Sequence, residues 1–358
     1  MASQVGRSLN RRSLLTAAVT SSLTLPWIWP SRARAAGQLA IRTPGGAFDD
    51  VKRETVYEPF RKATGIEIVP VAATIAKLLA MHRSGQMEVD LIDTGDDVLL
   101  QLDALGALLP LDYKAFKFTD PDDIEPTVRR KSIVGNFNYA MVMGYHTAAY
   151  PKGKQPRTWA EFWDLQKFPG PRTMADVASG APDLEFALLA DGVPADKLYP
   201  IDIDRAFKVM TRIRPAVPKF WDTGALSAQM LADKEVVLGT IWSTRIGVAI
   251  DKGAPLGIEW NQNAVLGQAY GIPVTGKNAQ AALQFIDFSL SPAIHGDWMK
   301  AYKATPVNRK SYGAAAPELV DPDTKEPWTK SKGFVRDIEW WAANRTKVSA
   351  VWARWIAG

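Results

Sequence analysis

The chain has 358 residues, of which 43 are basic, 38 are acidic and none is cysteine. A chain of this length can bury a large core and is long enough to form two lobes. The absence of cysteine excludes disulfides, thiolate chemistry and a lipid-modified N-terminal cysteine, so we expect no lipoprotein. Five arginines in residues 1–36 account for the whole positive excess, because the rest of the chain holds 38 basic and 38 acidic side chains. The charge therefore gives no argument for nucleic-acid binding.

Residues 1–36 predict an export signal of the twin-arginine type. They contain Arg11 and Arg12, an apolar stretch over residues 14–29, and small residues at the end. A basic start, a short apolar stretch and a small-residue cleavage site are typical of a removed signal peptide rather than of a membrane anchor. We expect the mature protein to be soluble and periplasmic.

After the signal, the chain alternates predicted strands and helices. Strands are predicted in "LAIR", "IEIVPV" and "VDLIDTGDD", with helices over residues 47–64 and 74–83 between them. A further helix is predicted in "VLLQLDALGALL". This order is typical of a parallel sheet flanked by helices.

The second half of the chain repeats this type of alternation. "YAMVMGYHT", "EVVLGTIW" and "AYGIPV" predict strands, and "TWAEFWDL" predicts a helix with a capping box formed by Thr158 and Glu161. Apolar residues at helical spacing over residues 334–355 predict a C-terminal helix that packs on the core.

Together these elements predict an α/β fold with two lobes, each a mostly parallel sheet flanked by helices, and a ligand cleft between them. The predicted segments are the signal at 1–36, the first lobe at 38–143 and 268–310, the second lobe at 144–267, and a C-terminal helical segment at 311–358 that packs on the second lobe.

Candidate binding residues follow from the carboxyl ends of the predicted strands, because ligands of α/β folds bind there. The ends fall in the loops 43–48, 93–98 and 176–182 and in the turn after Ile241. A later crossover strand adds Tyr270, and Gln268 comes only from a family resemblance. The candidates are Thr43, Gly45, Gly46, Phe48, Asp96, Asp97, Asp176, Trp242, Arg245, Gln268 and Tyr270.

Several candidates also have a purely structural interpretation. The Gly45–Gly46 pair can present N–H groups to a ligand oxygen or simply form a strand-to-helix turn. Asp96 and Asp97 can meet a cation or cap the following helix. Arg245 can face the cleft or form a surface ion pair, and Tyr270 can line the cleft or pack at a hinge.

The succession of "YEPFRKATGIEI", "VDLIDTGDD", "GALLPLDY", "TWAEFWDLQKFPG", "LADKEVVLGTIW" and "TPVN" resembles bacterial spermidine/putrescine-type periplasmic binding proteins. These are the solute receptors of ABC importers. The resemblance implies a type II periplasmic-binding fold, in which lobe closure traps a solute for a membrane permease and its ATPase. We expect a monomer with no nucleic-acid partner.

The resemblance also makes a polyamine, or a similar small organic cation, the first candidate ligand. It implies that Trp242 matches a family ring and that Asp176 lies near a family carboxylate, whereas Asp96 and Asp97 fall where the family has a hydroxyl and a ring. Gln268 stands at a family carboxylate position and cannot neutralise an ammonium. An amino-acid-like, phosphonate or carboxylate solute that contacts Arg245 is therefore the alternative.

Catalysis has little support in the sequence. The histidines are His82, His146 and His295, and none belongs to a metal-ligand or nucleophile–base motif. We predict a protein that is not an enzyme and needs no cofactor or metal. An exported hydrolase is the alternative from a different class.

Overall fold

The computed structural model describes Met1, residues 37–314 and residues 332–358. The predicted export signal lies outside these residues and stays a prediction.

The strands of the described residues form one mixed sheet. Their bounds are β1 Gln38–Thr43, β2 Glu67–Ala72, β3 Leu91–Gly95, β4 Val134–His146, β5 Arg172–Thr173, β6 Leu238–Trp242, β7 Leu256–Gly271, β8 Thr305–Pro306 and β9 Gly333–Val335.

Helices cover this sheet, and the predicted first helix is divided by a π-helical turn at Arg53–Tyr57. The α-helical bounds are α1 Ala47–Lys52, α2 Glu58–Thr64, α3 Ile75–Ser84, α4 Asp96–Ala104, α5 Trp159–Trp163, α6 Leu184–Ala190, α7 Ile203–Ile213, α8 Gly224–Ala232, α9 Ser243–Asp251, α10 Ala279–Ser289, α11 Pro292–Tyr302 and a C-terminal helix Ile338–Ala357.

The strand order is β2-β1-β3-β7-β4-β6-β5, with β8 beside β4 and β9 beside β7. The outer pairs β1/β2, β1/β3 and β5/β6 are parallel, as the alternation of strands and helices predicts. In the middle, β7 runs antiparallel to both β3 and β4, and β4 is antiparallel to β6. The α/β class is confirmed, but long antiparallel strands join the two parallel parts into one sheet.

Two groups of buried side chains divide the fold into lobes. The first lobe is built around Phe48, Phe285 and Trp298, with a second cluster around Leu99 on the opposite face of its strands. The second lobe is built around Trp159 and Phe186, again with a cluster on the other face. Strands β4 and β7 contribute to both lobes. The predicted segment boundaries of the lobes stay a prediction.

The side chains at the start of α5 make the predicted contacts only in part. The Thr158 hydroxyl accepts a hydrogen bond from the Glu161 amide at 3.2 Å, as an N-cap does. The Glu161 carboxylate accepts from the amide of Arg157 at 2.7 Å. The return bond of the capping box therefore reaches one residue before the cap.

The C-terminal helix packs against the second lobe. Trp341, Val348 and Trp352 are buried in its core, and Trp352 meets Phe220 edge to face at 5.1 Å. The helix also lies against α4 of the first lobe. It therefore contacts both lobes. Among the residues that the structure describes, no helix has the length and apolar character needed to cross a membrane.

Candidate functional site

A cavity of about 120 Å³ lies where the carboxyl ends of β1, β3 and β6 meet. It is lined by five of the predicted residues, namely Phe48, Asp97, Trp242, Arg245 and Gln268. Three residues of the predicted loop 176–182 also line it: Ser179, Gly180 and Ala181. The sequence argument from strand ends therefore leads to the region of this cavity.

The turn after β1 brings the backbone close to the cavity. Gly45 and Gly46 have φ angles of 76° and 59°, which favour glycine because a side chain there is strained. The Gly46 carbonyl accepts from the Asp49 amide at 2.9 Å and so starts α1. The Gly45 carbonyl accepts from Arg245 Nη2 at 3.4 Å. The turn thus has a structural role and also lies beside the guanidinium.

Arg245 lies at the start of α9 and is 8% exposed. Its bond to Gly45 is the only hydrogen bond that its side chain makes within the described residues, and its Nε atom has no partner. No carboxylate of the described residues lies within 4.0 Å of the guanidinium. Because a buried charge without a counterion costs free energy, this cation is suited to a negatively charged ligand group.

Arg42, at the end of β1, adds a second buried cation. Its Nε and Nη2 atoms donate to the Ala73 carbonyl at 2.9 and 2.8 Å, and Nη1 donates to the Asp93 carbonyl at 2.9 Å. Burial lowers the pKa of Arg42, while the nearby charges of Asp93 and Asp49 oppose this shift. The bonds to carbonyls hold the guanidinium in place but do not neutralise it.

Arg336 is the third arginine on the cavity wall, and its charge is already paired. Its Nε atom lies 3.1 Å from Glu185 Oε1. Glu185 also accepts from the Tyr199 hydroxyl at 2.6 Å and from Trp341 Nε1 at 2.7 Å. This buried group of side chains fixes the segment before the C-terminal helix to α6.

Asp97 is the only acidic side chain among the described residues that line the cavity. Its Oδ1 atom accepts from the Val98 amide at 2.9 Å, at the N-terminus of α4. Its Oδ2 atom accepts from Nη2 of Arg345, which also donates to the Gly180 carbonyl. Asp97 thus binds a cation, as its position predicts, but this cation belongs to the chain, and α4 begins at Asp96 without a side-chain cap.

Gln268 lies on the cavity wall and has one amide end bonded within the fold. Its Nε2 atom donates to Asp93 Oδ1 at 2.9 Å. Because an ionised carboxylate can only accept, this bond fixes which end of the Gln268 amide is the NH2 group. The Oε1 atom is then the acceptor end of the same amide. This end of Gln268 is thus suited to a donor group of a solute.

Aromatic rings form much of the remaining wall, namely Phe48, Phe137, Tyr139, Trp242 and Tyr302. Trp242 meets Tyr139 edge to face with ring centroids 6.1 Å apart, and it meets Trp221 in the same way at 5.3 Å. Trp242 therefore packs on the second lobe and lines the cavity at once.

The other predicted residues lie outside the cavity lining. The Thr43 hydroxyl donates to Asp49 at 2.7 Å, beneath the β1 turn. Asp176 accepts from the Ala178 amide at 2.8 Å and borders a separate surface depression. Tyr270 is fully buried, and its hydroxyl accepts from Lys52 Nζ at 2.8 Å. Asp96 borders a neighbouring cavity of about 30 Å³.

Sequence reasoning missed the arginines at 42, 336 and 345. Arg42 lies within β1. The alternation of apolar and polar residues along a strand does not show whether a side chain near its end reaches a ligand. Arg336 and Arg345 lie in the C-terminal segment, whose position depends on tertiary packing. The sequence gives only the apolar spacing of that helix, which indicates that it packs but does not indicate where.

Two of the histidines accept hydrogen bonds from backbone amides within the fold. His295 is buried, its Nε2 atom accepts from the Val307 amide at 3.1 Å, and burial lowers its pKa to about 3. His146 Nδ1 accepts from the Ala148 amide at 3.2 Å. No histidine lines the cavity, and the described residues contain no group of three metal-binding side chains.

Asp96 provides a pH-dependent prediction. Burial, with a contribution from the charge of Asp97, raises its pKa to about 7, against about 3.9 in an unfolded chain. Between these values the folded state binds more protons than the unfolded state, so stability falls as pH rises from about 4 to 7. Asp96→Asn should flatten this part of the profile and stabilise the protein at pH 7.5 more than at pH 5. Urea unfolding across this range measures it, and an unchanged profile would contradict it.

The fold and the cavity are those of a solute-binding protein. The family model for bacterial extracellular solute-binding proteins matches residues 55–349, and the chain belongs to this family. The gamma-aminobutyric acid-binding protein of Pseudomonas aeruginosa is 26% identical over 326 residues, which cover 89% of this chain and 91% of that protein. The spermidine/putrescine-binding periplasmic protein of Escherichia coli is 23% identical over 338 residues, covering 87% and 93%. The solved structure of the GABA receptor Atu4243 has 30% identity and a TM-score of 0.77, and the match covers 89% of this chain and 97% of that one.

Proposed function

We propose that this protein is the periplasmic receptor of an ABC importer for a small amino-acid-like carboxylate of the γ-aminobutyrate type. The observation that carries the proposal is the buried Arg245 guanidinium, which has no carboxylate partner among the described residues. A solute carboxylate would neutralise it in the paired geometry that guanidinium and carboxylate groups favour.

Gln268, on the same wall, supports a solute that also carries a donor group. The Oε1 atom of Gln268 can accept from an ammonium group, and the aromatic rings can cover the methylene chain between the two ends. Two relatives named for γ-aminobutyrate are consistent with this arrangement. Binding across the cavity favours the closed form of the lobes, which the permease and its ATPase would recognise.

A polyamine is the second candidate, and one observation favours it. Asp97 is a carboxylate on the cavity wall, and a relative of similar coverage is named for spermidine and putrescine. Against it, Arg245 makes no ion pair within the part of the chain that the structure describes, and its charge would repel an ammonium group. We therefore place the carboxylate solute first.

A matched set of ligands tests the proposal. γ-Aminobutyrate carries both end groups, butyrate lacks the ammonium, butylamine lacks the carboxylate, and putrescine carries two ammonium groups. We expect γ-aminobutyrate to raise the melting temperature. At a ligand concentration of 100 Kd, binding should add about 2.7 kcal/mol to the free energy of unfolding. Butylamine should have no effect, and calorimetry should give the affinities. A shift with putrescine and none with any carboxylate would overturn the proposal.

A further inference from the structure

We infer that Arg345 is a specificity-determining residue. Its guanidinium pairs with the Asp97 carboxylate, the one acidic side chain of the described cavity wall, and so prevents that carboxylate from binding a cationic solute. The inference rests on the proposed function and goes further, since it assigns the exclusion of polyamines to a residue outside the predicted binding loops.

Arg345 is placed to act as an internal counterion. Its Nη2 atom donates to Asp97 Oδ2, and its Nη1 atom donates to the Gly180 carbonyl. The Arg345 and Asp97 side chains are only 12% and 18% exposed. Water therefore screens this ion pair less than it screens a surface pair.

The helix that carries Arg345 is held firmly in the second lobe. Trp341 donates to Glu185 at 2.7 Å on one side of Arg345, and Trp352 is buried against Phe207 and Phe220 on the other. Arg345 is thus positioned by packing on both sides. A solute cannot move it away without losing its bonds to Asp97 and Gly180.

The consequence is a competition at Asp97. A solute ammonium would have to displace the guanidinium from Asp97, and the cavity wall already carries the charges of Arg42, Arg245 and Arg336. A solute carboxylate at Arg245 meets no such competition. The Arg345–Asp97 pair therefore selects against dications without weakening carboxylate binding at Arg245.

The test uses the full-length protein with putrescine and γ-aminobutyrate as probes. Arg345→Gln should free Asp97, and putrescine should bind at least tenfold more tightly than to the parent protein. The double variant Arg345→Gln/Asp97→Asn should lose this gain. The matched control is Arg354→Gln, on an exposed position of the same helix, which should leave both affinities unchanged.

Asp97→Asn alone gives an independent readout if Arg345→Gln fails to fold. It frees the Arg345 guanidinium, so the dicarboxylate glutarate should bind at least fivefold more tightly while putrescine stays excluded. An unchanged putrescine affinity in folded Arg345→Gln, or an unchanged glutarate affinity in Asp97→Asn, would overturn the inference and leave the carboxylate proposal intact. A parent protein that binds putrescine and no carboxylate would overturn both.

Discussion

Replacing Arg245 with alanine is expected to weaken binding of a carboxylate solute by about 2–5 kcal/mol, roughly thirtyfold or more in Kd. The reason is that the substitution leaves the solute carboxylate buried in the cavity without the Arg245 guanidinium, which makes no ion pair within the described residues. Calorimetric titration with γ-aminobutyrate measures the effect directly.

Two comparisons make the Arg245 result specific. Arg245→Lys keeps the charge but loses the planar fork, so it should bind the carboxylate with intermediate affinity. Arg83→Ala changes an exposed arginine of α3 that makes no ion pair in the described residues, and it should bind as the parent does. Full carboxylate affinity in folded Arg245→Ala would show that the solute carboxylate binds elsewhere.

Replacing Lys52 with methionine is expected to lower the free energy of unfolding by about 3–5 kcal/mol. Lys52 Nζ lies 2.6 Å from Asp93 Oδ2, and both side chains are fully buried. Asp93 also accepts from Asn136 at 3.1 Å and from Gln268 at 2.9 Å. Without the lysine, these amides remain as its side-chain donors within the described residues, and a carboxylate without an ion-pair partner is left in the first-lobe core.

A double-mutant cycle separates the ion pair from the loss of packing. Lys52 lies among aromatic rings, with Nζ 4.2 Å from the Trp298 ring centre, so methionine preserves much of its volume. Lys52→Met/Asp93→Asn should be less destabilised than the sum of the two single variants, because it leaves no unpaired charge. Urea unfolding gives the four free energies. Equal midpoints for the parent and Lys52→Met would contradict the prediction.

The strand-to-helix junctions of the cavity could be predicted because each has a local signal. Apolar strands end at polar or glycine residues after β1, β3 and β6, and Phe48, Asp97 and Trp242 follow from these ends. Whether a given candidate lines the cavity or packs in the core could not be decided without the register of strand pairing. Gln268 pairs with Gly95 at the end of β3, whereas Tyr270 pairs with Asp93, deeper in the first lobe. A shift of two residues thus separates a cavity residue from a core residue.

The length and pairing of the strands were harder to predict than the positions of their carboxyl ends. Apolar "YAMVMGYHT" and "AYGIPV" indicated the positions of two strands, but β4 and β7 extend well beyond them at Val134–His146 and Leu256–Gly271. The first half of β7 contains Asn261, Gln262 and Asn263, and Gln262 has a φ of 59°. Polar residues and a positive φ hide a strand from patterns of hydrophobicity. The antiparallel pairing that joins the lobes was hidden with it.

The position of Arg336 and Arg345 near the end of the chain has a consequence for biosynthesis. A ribosome makes β1, β3 and β6 long before it reaches the 20-residue C-terminal helix. A nascent chain that stops before residue 336 has the strand ends of the cavity but lacks Arg336 of its wall and Arg345, the partner of Asp97. It also leaves the buried Glu185 carboxylate without Arg336 and the Trp341 indole. Premature termination near the end of the gene should therefore abolish the receptor, although every predicted binding loop has already been translated.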